Sequence, residues 1–230
     1  VTLFGAALQP ALSIIDPELT FSLSPRQTVD GAFDMMTHVL ESYFSTREPA
    51  PLQDRMSEAL VATVVEALPL VLKNPEHAEA RASLSWCAAL ALSGAWSGRD
   101  GAWPIHAIEH GLSAWIDVAH GRGLAFLLPR VIAFDASAIP EKVTRFNRAI
   151  FAEANGLEKF MREVGAWTTL AELHAQSPEQ GALTVDELIT RTADHALETK
   201  GIFKRGEEVY LDNIKPMKRL DIVEVLQSYS

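Results

Sequence analysis

The sequence has a single cysteine, Cys87, and fewer basic than acidic side chains. One cysteine cannot form an internal disulfide, which excludes a disulfide-stabilised secreted domain and leaves any metal site to oxygen and imidazole ligands. The 20 basic and 30 acidic side chains give a formal net charge of −10, and such a surface repels nucleic acid and anionic lipid. We therefore expect a cytoplasmic protein with neither nucleic acid nor a membrane as its partner.

The sequence also lacks a hydrophobic run long enough to cross a membrane. Its longest apolar stretch, residues 59–72, is interrupted by Glu66 and Pro69, and it is shorter than the ~20 residues that a spanning helix needs. Residues 1–16 have no basic region before an apolar one, so they do not resemble a signal peptide. Because the first residue is Val1 rather than Met, we interpret the chain as a piece of a longer protein.

Helical periodicity dominates the chain and predicts an all-α domain of many helices. Ser24, Pro25 and Gln27 form a helix start, with Ser as the N-cap and Gln completing a capping box. Apolar residues recur at three- and four-residue spacing, as in helices with one face in a core. Helices are predicted over residues 24–45, 52–72, 76–95, 104–116, 122–134, 140–154, 157–174, 185–199 and 218–228.

Three segments do not follow the helical pattern. Residues 10–15 have the character of a short strand before the turn at Asp16-Pro17. Segments 176–182 and 203–218 have no clear period and are predicted to be surface loops.

Asp34 and His38 stand four residues apart on the helix that begins after Ser24, so their side chains share one face. A carboxylate and an imidazole placed in this way can chelate one metal ion. Two solvated side chains are the competing interpretation, but the residues around the pair are largely apolar, which favours a site.

Three of the seven histidines, His106, His110 and His120, lie within fifteen residues of one another. On one straight helix, His106 and His120 would be about 21 Å apart. A metal needs both ring nitrogens within about 2.1 Å, so a shared ion requires the helix to end between them. We therefore predict a helix break near residues 116–119, with the glycines after His120 supplying the freedom to turn.

Two metal-binding schemes are compatible with these residues. His106 to His110 matches H-x-x-E-H, a zinc-protease motif in which both histidines bind the metal and Glu109 acts as base. The other scheme leaves His110 as a proton-handling group and takes as ligands Asp34, His38, His106 and His120. In that scheme Glu109 either supports a ligand imidazole through a hydrogen bond or faces solvent.

The other histidines and the tryptophans near the cluster receive structural interpretations. Packing in the core is favoured for three tryptophans that flank the histidine cluster, Trp96, Trp103 and Trp115. Solvent exposure is predicted for the remaining histidines, His77, His174 and His195.

Four motifs follow one another in a fixed order along the chain. They are Asp16-Pro17-Glu18-Leu19-Thr20, Asp30-Gly31-Ala32-Phe33-Asp34-x-x-x-His38-x-x-Glu41, His106-x-x-x-His110 and His120-Gly121-x-Gly123-Leu124-Ala125. Together they resemble the metal-dependent, iron-containing alcohol dehydrogenase family, and residues 106–129 are closest to its branch of NADPH-dependent butanol dehydrogenases and aldehyde reductases. The similarity is strong over residues 8–129 and weaker beyond.

The resemblance implies a site and a reaction. In that family the matching aspartate and histidines bind one divalent ion, iron(II) or zinc, so the implied ligands here are Asp34, His38, His106 and His120. His110 matches a histidine that lies beside the nicotinamide and assists proton exit, and Thr20 and Leu23 match positions that approach the cofactor. The implied activity is the NADP(H)- or NAD(H)-linked interconversion of small alcohols and aldehydes by a homodimer.

The sequence departs from the family in one respect. It contains no glycine-rich phosphate-binding turn and no run of alternating strands and helices. We therefore predict a C-terminal helical, metal-binding catalytic domain over residues 16–230, with residues 1–15 as the remnant of the nucleotide-binding domain's last strand. Such a chain is expected to bind metal but not to hold NADPH unaided. A non-catalytic metal-binding helical module and an H-x-x-E-H zinc hydrolase are the alternatives.

Overall fold

The computed structural model describes residues 8, 10–46, 48–93, 102–177, 183–205 and 208–228. Within these residues the chain forms helices α1 to α10 and one hairpin, so the predicted all-α class is confirmed. The helices are α1 Pro25–Ser45, α2 Pro51–Lys73, α3 Ala78–Ser93, α4 Pro104–Ile116, α5 His120–Asp135, α6 Pro140–Ile150, α7 Gly156–Glu163, α8 Leu170–Gln176, α9 Val185–Lys200 and α10 Arg219–Gln227. Strands β1 (Gly201–Arg205) and β2 (Glu208–Leu211) pair antiparallel between α9 and α10.

Helix α1 is the centre of the domain. It begins as predicted, because the Ser24 side chain accepts from the Gln27 backbone N–H (3.2 Å) and the Gln27 side chain accepts from the Ser24 N–H (3.1 Å). It packs against α2, α3 and α5, and Phe33 and Met36 on it are fully buried. The residues that α1 carries are therefore held on a rigid element.

The chain breaks between α4 and α5, as the metal geometry predicts. α4 ends at Ile116 and α5 begins at His120. Asp117 makes the turn with a left-handed backbone (φ 47°, ψ 40°), and its N–H donates to the carbonyl of Ser113. A left-handed residue just after a helix is a common way to end it.

The glycines after His120 do not make this turn, so their predicted role is wrong. Gly121 and Gly123 lie inside α5, where their lack of a side chain permits close packing. A Cβ atom on Gly121 would lie 2.1 Å from the Asp30 carbonyl oxygen, and one on Gly123 would lie 2.8 Å from the Glu109 side chain. The two glycines therefore allow α5 to approach α1 and α4.

The predicted helix 157–174 is two helices, α7 and α8. Between them Gly165 adopts a left-handed backbone (φ 73°), which glycine tolerates without steric cost. Thr169 then starts α8 with a capping box to Glu172. Apolar residues recur on both sides of the break, so periodicity alone does not reveal it.

Two further expectations about local structure are wrong. The predicted surface loop 203–218 instead contains most of the hairpin and a bridge between Leu211 and Met217. Leu211 and Met217 are both buried. The predicted strand at residues 10–15 does not form, because a strand requires a paired neighbour and no described residue pairs with it.

Two predictions concern residues that lie wholly or partly outside the described part of the chain. Trp96 lies outside the described residues, and the predicted loop 176–182 is described only up to Ser177, after Gln176 ends α8. Within the parts of the chain that are described, every helix is too short or too polar to cross a bilayer.

Candidate metal centre

Four of the predicted site residues meet where α1, α4 and α5 pack together. They are Asp34 and His38 on α1, His106 on α4 and His120 on α5. Asp34 Oδ1 lies 3.3 Å from His38 Nε2. The ring centroids of His38 and His106 are 4.4 Å apart, and those of His106 and His120 are 5.4 Å apart. The structure therefore brings together side chains that are up to 86 positions apart in the sequence.

Three of these four donors are spaced as ligands of one divalent metal ion, and the His120 ring lies beside them against that of His106. The candidate ligand atoms of Asp34, His38 and His106 all lie within 4.8 Å of one another. His106 Nε2 is buried and has no hydrogen-bond partner in the described part of the chain. Because buried polar atoms are nearly always paired, this atom is available to bind a metal ion. Imidazole nitrogens with one carboxylate suit iron(II) and zinc alike.

The charge of Asp34 is favoured by its surroundings. Burial acts to raise the pKa of Asp34, but the hydrogen bond and charge of His38, with smaller contributions from His120 and His106, outweigh it. The net effect lowers the pKa of this carboxyl below its usual value. Asp34 is therefore an anionic oxygen donor at neutral pH.

Glu41 lies behind His106, and sequence reasoning gave it no role. Its buried carboxylate bonds His106 Nδ1 through Oε2. Its other oxygen, Oε1, accepts from the backbone N–H groups of Ile105 (2.5 Å) and His106 (3.2 Å) in the first turn of α4. The sequence carries two signals of it: Glu41 belongs to the family-like motif that begins at Asp30, and its spacing from Asp34 and His38 places all three on one face of α1.

Glu109 lies behind His120 in the same way. It is fully buried, and its Oε2 atom bonds His120 Nδ1. This hydrogen bond is the main cause of a raised pKa of His120, and burial opposes it. Of the two roles left open for Glu109, the geometry favours support of an imidazole. It does not favour the H-x-x-E-H scheme, in which Glu109 must face the reacting water.

His110 stands at the open side of the cluster. It is exposed, and its ring stacks on that of His120 with centroids 5.7 Å apart. Burial is the largest influence on its pKa and lowers it, helped by the charges of His120, His106 and Lys200 and opposed by Glu109. His110 is therefore mostly neutral at neutral pH and has a free side from which to exchange a proton.

A cleft of about 280 Å³ runs along α1 beside Asp34 and His38. Thr20 and Leu23, the predicted cofactor residues, line it together with Gly31. Thr20 is half-buried, and its hydroxyl donates to the Pro17 carbonyl (2.7 Å). The structure thus places both predicted residues on the cleft that leads to the donor cluster.

Trp103 also belongs to this site, contrary to the predicted core packing. It is 43% exposed, and its ring lies edge-on to His38 (5.5 Å) and His106 (5.4 Å). Trp115 does pack against the core, as predicted.

The remaining histidines are half-buried rather than solvent-exposed. His77 Nδ1 accepts from the Ala80 N–H at the start of α3 (3.3 Å), and His174 Nε2 bonds the Leu183 carbonyl (2.6 Å). The sequence gives no sign of these local contacts.

Comparisons with known proteins agree with this architecture. The sequence model described as "Fe-containing alcohol dehydrogenase family, C-terminal" matches residues 28–229. NADH-dependent butanol dehydrogenase A of Clostridium acetobutylicum is 32% identical over 225 residues, covering 86% of this chain and 57% of that protein. NADPH-dependent aldehyde reductase YqhD of Escherichia coli is 36% identical over 126 residues, covering 54% and 33%.

A solved structure gives the same result. The crystal structure of NADH-dependent butanol dehydrogenase A from Thermotoga maritima superposes with a TM-score of 0.81 and 33% sequence identity, covering 96% of this chain and 56% of that one. The chain thus spans about half the length of such relatives. It belongs to the Fe-containing alcohol dehydrogenase family, and residues 28–229 form that family's C-terminal domain.

Proposed function

We propose that this chain is the metal-binding part of a nicotinamide-dependent alcohol dehydrogenase or aldehyde reductase. The observation that carries the proposal is the convergence of one carboxylate and three imidazoles from three helices, with His106 Nε2 buried and without a hydrogen-bond partner among the described residues. A divalent ion in such a site supplies Lewis acidity toward an alcohol or carbonyl oxygen. The proposed ligands are Asp34, His38, His106 and His120, and the ion is iron(II) or zinc.

Other residues of the chain are proposed to transfer the proton, to line the cofactor cleft and to shield the donor cluster. His110 is the proposed catalytic residue, because its exposed ring beside His120 is placed to take a proton from the substrate side and release it to water. Thr20 and Leu23 form the cleft wall that the nicotinamide would approach, and His110 would contact the cofactor when it is bound. Trp103 covers the cluster with an apolar edge and limits access of water to it.

The identity of the coenzyme and the domain organisation are also proposals. The relatives are named as NADH-dependent and NADPH-dependent enzymes, and we propose that one of these nucleotides serves the whole protein. Residues 16–230 form the helical domain, and residues 1–15 lead from a nucleotide-binding domain. The substrate is a small alcohol or aldehyde, and the assembled enzyme is a homodimer.

Metal titration tests the ligand set directly. Zn²⁺ affinity is measured by competition with a chelator for the unaltered chain, for His120→Ala and for His110→Ala. We expect tight binding by the unaltered chain and by His110→Ala, and a large loss with His120→Ala. Unchanged affinity in His120→Ala contradicts the four-ligand scheme. Loss with His110→Ala alone supports the H-x-x-E-H scheme instead.

The alternative named above, a non-catalytic metal-binding helical module, makes a different prediction about the whole gene. The coding sequence upstream of Val1 distinguishes the two. A continuous frame encoding a glycine-rich α/β domain supports the dehydrogenase and excludes the module.

A further inference from the structure

We infer that Glu41 and Glu109 are positioning residues of the metal site. Each glutamate holds one ligand imidazole from behind at Nδ1, so that Nε2 is the atom presented to the ion. The inference rests on the proposed function, since it assigns these residues to the same site. Neither glutamate contacts the reacting atoms, and each acts only through its histidine.

Glu41 joins two helices of the site. It is carried by α1, yet its Oε1 accepts from the Ile105 and His106 N–H groups, which have no partner inside α4 because they lie in its first turn. Trp103, the residue before α4, supplies no side-chain cap. Glu41 therefore caps α4 from α1 while its second oxygen holds the ring of His106. The position of α4 relative to Asp34 and His38 is fixed by the same side chain that orients His106.

Glu109 joins α4 to α5. Its carboxylate reaches His120 Nδ1 at the first position of α5, and it has room to do so because Gly123 lacks a Cβ atom that would lie 2.8 Å from it. A fully buried glutamate is rare unless it is paired. The pairing of Glu109 with His120 therefore depends on the absence of a side chain at position 123.

The two bonds determine which nitrogen faces the ion. A carboxylate only accepts hydrogen bonds, so Nδ1 of His106 and of His120 carries the proton and Nε2 carries the lone pair. The unpartnered Nε2 atom of His106 agrees with this tautomer. Carboxylates placed in this way fix ring orientation and increase ligand basicity, and their loss typically weakens metal binding about 10- to 100-fold.

The test compares the Zn²⁺ affinity of the full 230-residue chain with that of Glu41→Gln and Glu109→Gln. Glutamine keeps the side-chain volume and one acceptor oxygen but removes the charge. Glu58→Gln is the matched control, because Glu58 also accepts hydrogen bonds from two side chains, the buried Tyr43 and the half-exposed Arg145, and none of its hydrogen bonds goes to the histidines. We expect each of the two site variants to bind Zn²⁺ about 10- to 100-fold more weakly and Glu58→Gln to match the unaltered chain.

A second measurement separates positioning from general destabilisation. The visible absorption of the Co²⁺-loaded chain reports ligand geometry, and we expect it to change in Glu41→Gln and Glu109→Gln but not in Glu58→Gln. Circular dichroism confirms that each variant is folded. If Glu41→Gln does not fold because α4 loses its cap, Glu109→Gln alone decides the outcome.

The outcomes distinguish this inference from the proposed function. If the unaltered chain binds Zn²⁺ tightly and both site variants match it in affinity and Co²⁺ spectrum, the positioning role is wrong and the proposed metal site stands. If the unaltered chain binds no metal ion, both are overturned.

Discussion

The two ends of α5 both carry buried polar groups, but only one end leaves them incomplete. At the first turn, His120 bonds Glu109, whose Oε1 atom has no hydrogen-bond partner in the described residues, and the neighbouring His106 Nε2 has none either. In the last turns of α5, Arg130 and Asp135 are about as deeply buried as Glu109. Their hydrogen bonds, however, are made within the protein.

Arg130 shows how the second end is completed. Its guanidinium donates to the carbonyls of Ser228 (3.0 Å), Phe126 (2.5 Å) and Thr168 (3.2 Å) and lies 3.9 Å above the Phe126 ring. Asp135 accepts two hydrogen bonds from the amide of Asn213 (2.9 and 3.0 Å). This end fastens the C-terminal segment to the core.

Buried polarity alone therefore does not identify a binding site. Burying a polar group costs free energy unless it is paired, so a native structure completes such groups or reserves them for a ligand. At the first end of α5 the atoms His106 Nε2 and Glu109 Oε1 have no hydrogen-bond partner among the described residues, and we propose that this end, unlike the last one, is reserved for a ligand. Substitutions at the first end should therefore affect metal binding, and those at the last end should affect stability.

The largest effect on stability is expected for Arg130→Ala. It removes the guanidinium hydrogen bonds to three carbonyls, two of them in buried surroundings, and leaves a cavity at a fully buried position, so we expect the free energy of unfolding to fall by about 3–5 kcal/mol. Urea denaturation measures the change. Arg162→Ala is the control, since Arg162 pairs with Glu158 at the surface and its loss should cost at most about 0.5 kcal/mol. Equal effects of the two variants would mean that the buried bonds of Arg130 contribute little.

His38→Ala should weaken metal binding strongly and change stability little, whereas Arg130→Ala should mainly lower stability. We expect its Zn²⁺ affinity to fall by more than the roughly 10- to 100-fold typical of residues behind the ligands, because a direct donor is lost. Without metal, the free energy of unfolding should change by no more than about 1 kcal/mol. His77→Ala, which removes a histidine from the start of α3, should leave affinity unchanged. A metal-free His38→Ala that is strongly destabilised would contradict the contrast between the two ends.

Asn213→Ala tests the last end of α5, because its effect on stability should depend on pH. Burial raises the pKa of Asp135 to about 7 despite the Asn213 amide. Because this pKa lies above the unfolded value, the stability that Asp135 contributes is full below about pH 4 and is lost as pH rises through 7. Removing the amide destabilises the ionised form, so Asn213→Ala should cost about 1–3 kcal/mol at pH 8 and less at pH 5. Denaturation at both pH values measures this, and an equal cost at both contradicts the assignment.

The smallest effect is expected for Gly31→Ala near the reserved end. A Cβ atom there would meet nothing within 4 Å, and alanine in a helix is favoured over glycine by about 0.5–1 kcal/mol. The variant should therefore be slightly more stable and bind Zn²⁺ normally. Gly121→Ala is the contrasting variant, because its Cβ atom would clash with the Asp30 carbonyl. A thermal melting curve compares them, and a destabilised Gly31→Ala would mean that α1 is more tightly enclosed than the structure shows.

Much of the donor cluster was predictable because metal geometry constrains the fold. A shared ion for His106 and His120 requires a helix end between them, and the chain turns at Asp117. The spacing of Asp34 and His38 needed only the helical period.

The supporting residues were not predictable in the same way. The role of Glu41, and the choice between the two roles left open for Glu109, depend on distances between helices, which a single sequence does not contain. Gly121 and Gly123 have two possible uses, in a turn or in close packing, and only the approach of α1 and α4 to α5 decides between them. The break at Gly165 was hidden because the apolar pattern continues on both sides of it.

If the proposed site binds its metal ion, the distribution of the donors over α1, α4 and α5 links metal supply to folding. A ligand that needs three helices at once binds the folded chain and not the unfolded one, so its binding free energy is added to the stability of the fold. At a free ion concentration about 1,000 times the dissociation constant, this addition is about 4 kcal/mol, a large share of the roughly 5–15 kcal/mol by which most domains are stable. A cell that limits the metal would then limit the lifetime of the protein as well as its chemistry.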